Sequence, residues 1–193
     1  MARASHREKL LDEGLKVVLE HGFNGASVRD IVRAAGVPQG CFTNHFRSKE
    51  AFAQEILDRY FSGVCTSIRD TLRNEALTPT GRLRAWIDAQ VRFLEQSEFR
   101  GGCLIGNFTL ESGGQSEAIR ARLREAIEGI RQAVTDCLDA AVAAGELPAS
   151  TNTSDLAGFL YASWQGAVMQ AKVEGQARPL ERFKAVLFDR VLR

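Results

Sequence analysis

The stretch Ser27–Glu50, SVRDIVRAAGVPQGCFTNHFRSKE, decides how this chain is read. Ser27 is placed to cap a helix, with Asp30 three residues on as the acidic partner of a capping box. Val28, Ile31, Val32 and Ala35 then follow at helical apolar spacing. Gly36 supplies a left-handed stop, and Val37-Pro38 forces extended or turn backbone before the next helix. That second helix, Gln39 to Phe46, is too short to stand alone as a core element. Its outward positions are Gln39, Gly40, Thr43 and Asn44. A short polar helix pinned to a buried one is the geometry of a helix-turn-helix that reads the major groove of DNA. An ordinary helical hairpin carries the same pattern and stays open as an alternative at this level.

Outward from this stretch, nearly everything reads as helix. Ser5 to His21 carries Leu10, Leu11, Leu15, Val18 and Leu19 on one stripe, and Gly22 ends it. Ser48 caps a long helix with the stripe Phe52, Ile56, Leu57, Tyr60, Phe61, Val64, Ile68 and Leu72. A break at Thr78-Pro79-Thr80 precedes a fifth helix through Leu83, Trp86, Ile87, Val91 and Leu94. Ser97–Gly102 is a turn, and Cys103–Leu110 a short apolar helix closed by Ser112-Gly113-Gly114. Ser116–Ala144 is long and helical, a loop follows at Gly145, Pro148 and Asn152, and Asp155–Glu174 and Pro179–Leu192 complete the chain. Period-two strand patterns and internal repeats are absent from the sequence. The expectation is an all-α chain of about nine helices. Residues 1–47 form a three-helix DNA-binding head, and residues 48–193 a helical bundle for ligand binding and dimerisation.

Composition narrows the function. The 193 residues are 45% hydrophobic and 25% charged, as in a soluble globular protein. No apolar run approaches the roughly 18 residues that span a bilayer, and the charged amphipathic start lacks a secretory signal's apolar core. The expectation is a cytoplasmic protein with no membrane partner. The net charge of +1 does not announce nucleic-acid binding. Basic residues do gather early (Arg3, Arg7, Lys9, Arg29, Arg33, Arg47, Lys49), but acidic ones are interleaved. The case for DNA therefore rests on geometry. Cys41, Cys65, Cys103 and Cys137 are scattered, without zinc-ligand spacing or a disulfide framework, so no metal is implied. Cys65 and Cys137 fall on apolar helical positions, which predicts burial. No cofactor loop appears.

The last two helices are apolar on more than one face. Phe159, Leu160, Ala162, Ser163, Ala167 and Ala171 belong to the first, and Phe183, Val186, Leu187, Phe188, Val191 and Leu192 to the second. Either both faces are internal core, or the surplus face makes a two-fold homodimer through these helices. A dimer would set two reading helices in successive major grooves, about 34–36 Å apart.

The order of signals resembles the TetR family of transcriptional regulators. Gly22-Phe23 closes a first helix, Ser27-Val28-Arg29-Asp30-Ile31 opens the second, and Ala34-Ala35-Gly36-Val37 makes the turn. Gly40 sits in the reading helix, and His45-Phe46-Arg47-Ser48-Lys49-Glu50 begins the fourth. The match is specific over roughly residues 5 to 60 and architectural beyond. It implies a homodimer on a palindromic double-stranded operator, released by a small-molecule effector.

On the reading helix, Gln39 and Asn44 can pair bidentately with adenine, and the Thr43 methyl can meet thymine. Lys49, in the first turn of the long helix beside outward N–H groups, makes a phosphate anchor. The resemblance implies the same role for that lysine, with Ser27 as its counterpart across the groove. Of Arg29 and Arg33, one is expected on phosphate and the other in solvent. His45 is read either at phosphate or as a packed or surface residue. Phe42 and Phe46 are read as core. Many relatives carry an aromatic residue at the position of Thr43, serine or threonine at that of Cys41 and lysine at that of Gln39, so the operator cannot be carried over.

For the effector, a mostly apolar pocket with a few polar groups is expected. Candidate walls are Trp86, Gln90, Phe93, Phe108, Trp164 and Gln165, each with plain core as the alternative. Arg100–Phe108, RGGCLIGNF, resembles the GC-x-x-GN signature of a TetR subgroup that includes electrophile- and acrylate-responsive repressors. By that resemblance Cys103 is a sensor thiol, against the alternative of a small residue fitted where helices cross. Cys41 is its rival, lying on the DNA face. A cysteine-dependent enzyme is disfavoured because the histidines all lie near the N-terminus, far in sequence from Cys103. A DNA-binding architectural protein without an effector would not need the long C-terminal two-thirds.

Overall fold

The structure is a computed structural model that describes residues 5–112 and 116–192. Arg3 and the Gly113-Gly114 end of the expected stop lie outside these residues. Among the described residues there are nine α-helices and no strand. These are α1 (His6–Gly25), α2 (Val28–Ala34), α3 (Gly40–His45), α4 (Lys49–Asp70), α5 (Pro79–Gln96), α6 (Leu104–Ser112), α7 (Glu117–Ala143), α8 (Thr153–Glu174) and α9 (Arg178–Val186). A π turn, Leu187–Val191, closes the chain. The all-α expectation holds. The reading helix is one residue shorter at each end than Gln39–Phe46, and α6 runs two residues past Leu110.

Local chemistry sets the boundaries. Ser27 and Asp30 form the capping box, Asp30 N–H donating to Ser27 Oγ at 3.1 Å and Ser27 N–H to Asp30 Oδ2 at 3.2 Å. Thr78 caps α5 ahead of Pro79, and Asn152 caps α8, which ends at left-handed Gly175. Gly22 breaks α1 with φ 75° and ψ 165°, and residues 23–25 form one further turn.

The chain packs as two units, Met1–Ser62 with Cys103–Glu125, and Gly63–Gly102 with Ala126–Arg193. The packing division thus falls later than the functional boundary expected near residue 48. In the first unit, Phe52, Ala53, Ile56 and Leu57 of α4 bury with Leu10, Leu11 and Val18 of α1 and Ile31 and Val32 of α2. Phe42, Phe46 and Phe52 meet at ring separations of 5.1–5.3 Å. Gly14 makes this approach possible, because a Cβ there would lie 2.5 Å from Phe52 Cζ. Arg59 of α4 pairs with Glu8 and Asp12 of α1, and Arg7 with Glu55, lacing the two helices along their exposed edge. The same unit takes in α6 through Leu104, Ile105 and Phe108, and the start of α7 through Ile119 and Leu123.

The second unit buries Leu83, Trp86, Ile87, Val91 and Leu94 of α5 with one face each of α7 and α8. Along α9, Leu180 is buried, and Lys184 reaches Asp88 of α5 at 2.8 Å. That carboxylate, with Glu181, raises the Lys184 pKa. Arg84 lies over the Phe188 ring at 3.8 Å.

Candidate nucleic-acid interface and ligand cavity

Helix α3 is held from beneath by Phe42 and Phe46, which are 2% and 3% exposed, as the sequence predicts. With that face spent, Gln39, Gly40, Thr43, Asn44 and His45 are all exposed. Thr43 donates its hydroxyl to the Gly40 carbonyl at 3.1 Å, so its donor is used within the helix. What remains for a base is chiefly the methyl group. No Cβ placed at Gly40 would meet another atom within 4 Å, so its absence leaves the surface low and open. His45 ends the helix with its ring set edge-on to Phe46.

The flanking positions divide. Arg29 is exposed, while Arg33 turns back to Asp30 at 2.6 Å. Ser27 is exposed, but its hydroxyl is committed to Asp30, at 2.5 Å. Those bonds hold the Asp30 carboxyl below its ordinary pKa.

Lys49 departs from its expected role as a phosphate anchor. Its ammonium points inward, donating to the Phe23 carbonyl at 2.5 Å and lying over the Phe23 ring at 4.5 Å. Burial lowers its pKa, opposed by the nearby Glu111 carboxylate. Glu111 itself accepts from the Asn24 N–H at 2.8 Å, while the Asn24 side-chain amide donates to the Glu111 carbonyl at 3.3 Å. Lys49, Phe23, Asn24 and Glu111 therefore form one polar latch joining the end of α1, the start of α4 and the end of α6. Sequence reasoning missed it. The available signal was that Glu111 is the one charged residue of LIGNFTLES, an otherwise uncharged short helix.

The expected effector residues divide between the two units. Trp86 and Trp164 come together in the second unit, each 7% exposed, with the Trp164 ring 5.4 Å from Phe183. They wall a small cavity with Phe183, Tyr161 and aliphatic side chains of α5, α7 and α8. Gln90 lies on α5 outside that wall, donating to the Ser67 hydroxyl at 3.4 Å. Phe93 is 42% exposed, and Gln165 is half-buried on α8. Phe108 takes the core alternative: fully buried, it packs on Phe23 at 4.9 Å in the first unit. As part of an apolar helix needing a core partner, it filled the space beside the α1 break.

Cys103 also belongs to the first unit, half-buried, with the Tyr60 hydroxyl donating to its sulfur at 4.0 Å. Cys41 is half-buried, its sulfur 3.5 Å from His6 Nδ1. Cys137 is buried as expected and its thiol is pushed up to about 11 by desolvation. Cys65 is exposed, against expectation. It lies one residue beyond Val64, about 100° round the helix from that position's stripe.

Fold and head together define a helix-turn-helix protein whose reading module is joined, in one chain, to a larger helical unit. The chain belongs to the TetR family of transcriptional regulators. Residues 10–56 match the family described as bacterial regulatory proteins, tetR family, and residues 79–187 match the Tetracyclin repressor-like C-terminal domain. It is 37% identical over 192 residues to the HTH-type transcriptional repressor DhaR of Mycobacterium sp. strain GP1, covering 100% of this chain and 95% of that protein. The regulatory protein TetR from Rhodobacter sphaeroides has the same fold with a TM-score of 0.90 at 29% identity, over 94% of this chain and 96% of that one. The reduced form of E. coli NemR matches with a TM-score of 0.82 at 28% identity, over 95% and 96%. Among the described residues no helix is long and apolar enough to cross a membrane.

Proposed function

We propose that this regulator is a repressor that binds a palindromic operator as a homodimer and lets go when a small molecule occupies its second unit. The exposed polar face of α3, raised on the Phe42–Phe46 anchor, is the observation that carries the reading. Gln39, Gly40, Thr43 and Asn44 meet base edges, and Arg29, Ser27 and His45 lie along the flanking phosphates. In this reading Lys49 is a strut beneath the surface, and the phosphate at the start of α4 is met by backbone N–H groups.

The dimer forms through α8 and α9. Phe159 is 55% exposed and Val186 51%, and both line an apolar groove of about 320 Å³ between these helices, floored by Leu160, Ala167 and Leu187. Large apolar side chains along a groove favour a protein partner, and two-fold symmetry supplies a second copy.

A second reading of the trigger has an observation of its own. The Tyr60 hydroxyl donates to the half-buried Cys103 sulfur, and addition of an electrophile at Cys103 is an alternative to reversible binding.

The test of the reading head is selection of duplexes from a random library by the purified protein. The expected product is an inverted repeat whose half-sites are one helical turn, or a multiple, apart. Thr43→Ala with Asn44→Ala should abolish preference for that duplex while leaving the dimer intact by light scattering. Undiminished preference would refute the assignment of α3.

A further inference from the structure

The exposed face of α3 offers few groups to a base pair, and their chemistry differs. Gln39, Gly40, Thr43, Asn44 and His45 make up that face, and among them Thr43 alone ends in a methyl group. The Thr43 hydroxyl donates to the Gly40 carbonyl at 3.1 Å, so its proton is spent inside the helix. A helical threonine divides between two rotamers, and this bond selects one of them. The Cγ2 methyl is then the group of that side chain with no bond to the helix. Gly40, three residues earlier, shares this face. It is not left-handed, and a Cβ there would meet nothing within 4 Å, so the fold itself would accept alanine. Its bare backbone leaves a notch beside Thr43, open to whatever approaches from outside.

We propose that Thr43 reads a 5-methyl group in the major groove, so that each half-site of the operator holds a thymine whose methyl packs on Thr43 Cγ2 beside the notch at Gly40. This rests on the assignment of α3 as the reading helix and names the base read at one position. Of the four standard bases, thymine alone presents a C5-methyl in that groove. The contact is apolar and makes no hydrogen bond, so its strength comes from taking one methyl group out of water. It is therefore indifferent to the pairing edge of the pyrimidine: 5-methylcytosine satisfies it, whereas uracil and unmodified cytosine do not. The Oγ lone pairs stay able to accept from the amino group of adenine or cytosine, and a contact made through them would depend on the other half of the side chain.

Anisotropy on the selected inverted repeat, with the full-length protein, separates the two halves. Each thymine is replaced in turn by deoxyuridine, symmetrically in both half-sites, which removes the methyl and nothing else. At one thymine of each half-site the affinity should fall about fourfold per half-site, hence about fifteenfold per operator, as for one buried methyl. In Thr43→Ser, which keeps the hydroxyl and its bond to Gly40, deoxyuridine at that position should make no difference. In Thr43→Val, which keeps the methyl and loses the hydroxyl, the fifteenfold factor should persist. A C·G pair built at the same position should bind about fifteenfold more tightly once its cytosines carry 5-methyl groups.

Indifference to deoxyuridine at every thymine, a factor at that position that survives in Thr43→Ser, or its loss in Thr43→Val would overturn the proposal. The deoxyuridine scan of the unaltered protein needs no variant, so it decides alone should a variant not fold. A repeat that is selected normally but ignores deoxyuridine refutes the methyl contact and leaves α3 as the reading helix. Failure to select any repeat, or a preference undiminished when Thr43→Ala is combined with Asn44→Ala, refutes the reading helix itself.

Discussion

Replacing Gly22 by alanine should damage the head from a position that touches no DNA. The residue sits at φ 75° and ψ 165°, a backbone region that is essentially glycine's alone, and a side chain there costs about 1–3 kcal/mol. The added Cβ would also lie 2.6 Å from Glu111 Oε1 and 3.0 Å from its Cδ. Glu111 is flexible enough to withdraw, but doing so breaks its bond from the Asn24 N–H, at a further cost of about 1 kcal/mol. The sum is about 2–4 kcal/mol. For a chain of this length that lowers the Tm by roughly 5–15 °C at fixed protein concentration. Guanidinium denaturation of Gly22→Ala, Glu111→Ala and the double variant makes a cycle. In the Glu111→Ala background the steric and hydrogen-bond parts are already gone, so the glycine substitution should cost only its backbone strain. The coupling energy is then about 1 kcal/mol. A loss below about 0.5 kcal/mol for Gly22→Ala, or strict additivity of the two changes, would refute the latch.

The inward ammonium of Lys49 predicts that Lys49→Met leaves the slope of log K against log salt unchanged, measured by anisotropy on the selected duplex. A slope reduced by about one would return Lys49 to the phosphate backbone. Maleimide labelling followed by mass spectrometry should modify Cys65 first and Cys137 last. With its pKa raised to about 11, Cys137 is thiolate in roughly one molecule in a thousand at pH 8, so its labelling should quicken about tenfold per pH unit up to that value. Rapid labelling of Cys137 at pH 7 would contradict its burial. Phe159→Glu should turn the dimer into a monomer by light scattering and weaken operator binding by at least a hundredfold; a stable dimer would remove α8 from the interface.

The secondary structure was largely legible because its signals are local. Ser27 and Asp30 announce their capping box within four residues, and Gly22 announces its break by itself. Phe42 and Phe46 were readable as core because no amphipathic face was left for them on so short a helix. Partners were another matter. Periodicity says that Phe108 is buried but not that Phe23 receives it. The first turn of α4 looks like a phosphate site from the sequence. Only the tertiary approach of the Phe23 carbonyl and Glu111 explains why Lys49 folds inward. Gly14 gave no signal at all, since its meaning is the Phe52 ring lying against it.

The chain passes between its two units at 62/63, 102/103 and 125/126. The first and third passages lie inside α4 and α7, helices that continue without interruption. The second is different: Gly102 has φ 68°, and Cys103 follows it immediately. From there α6 runs through fully buried Leu104 and Phe108 to Glu111, which holds the end of α1 at Asn24. Within the first unit, α6 therefore ties Leu104 at its start to the end of α1, the helix ahead of the reading pair. This gives GC-x-x-GN a structural role whether or not Cys103 reacts. Gly102 takes the left-handed turn, Leu104 and Ile105 seat the helix in the core, and Glu111 at its far end holds Asn24 of α1.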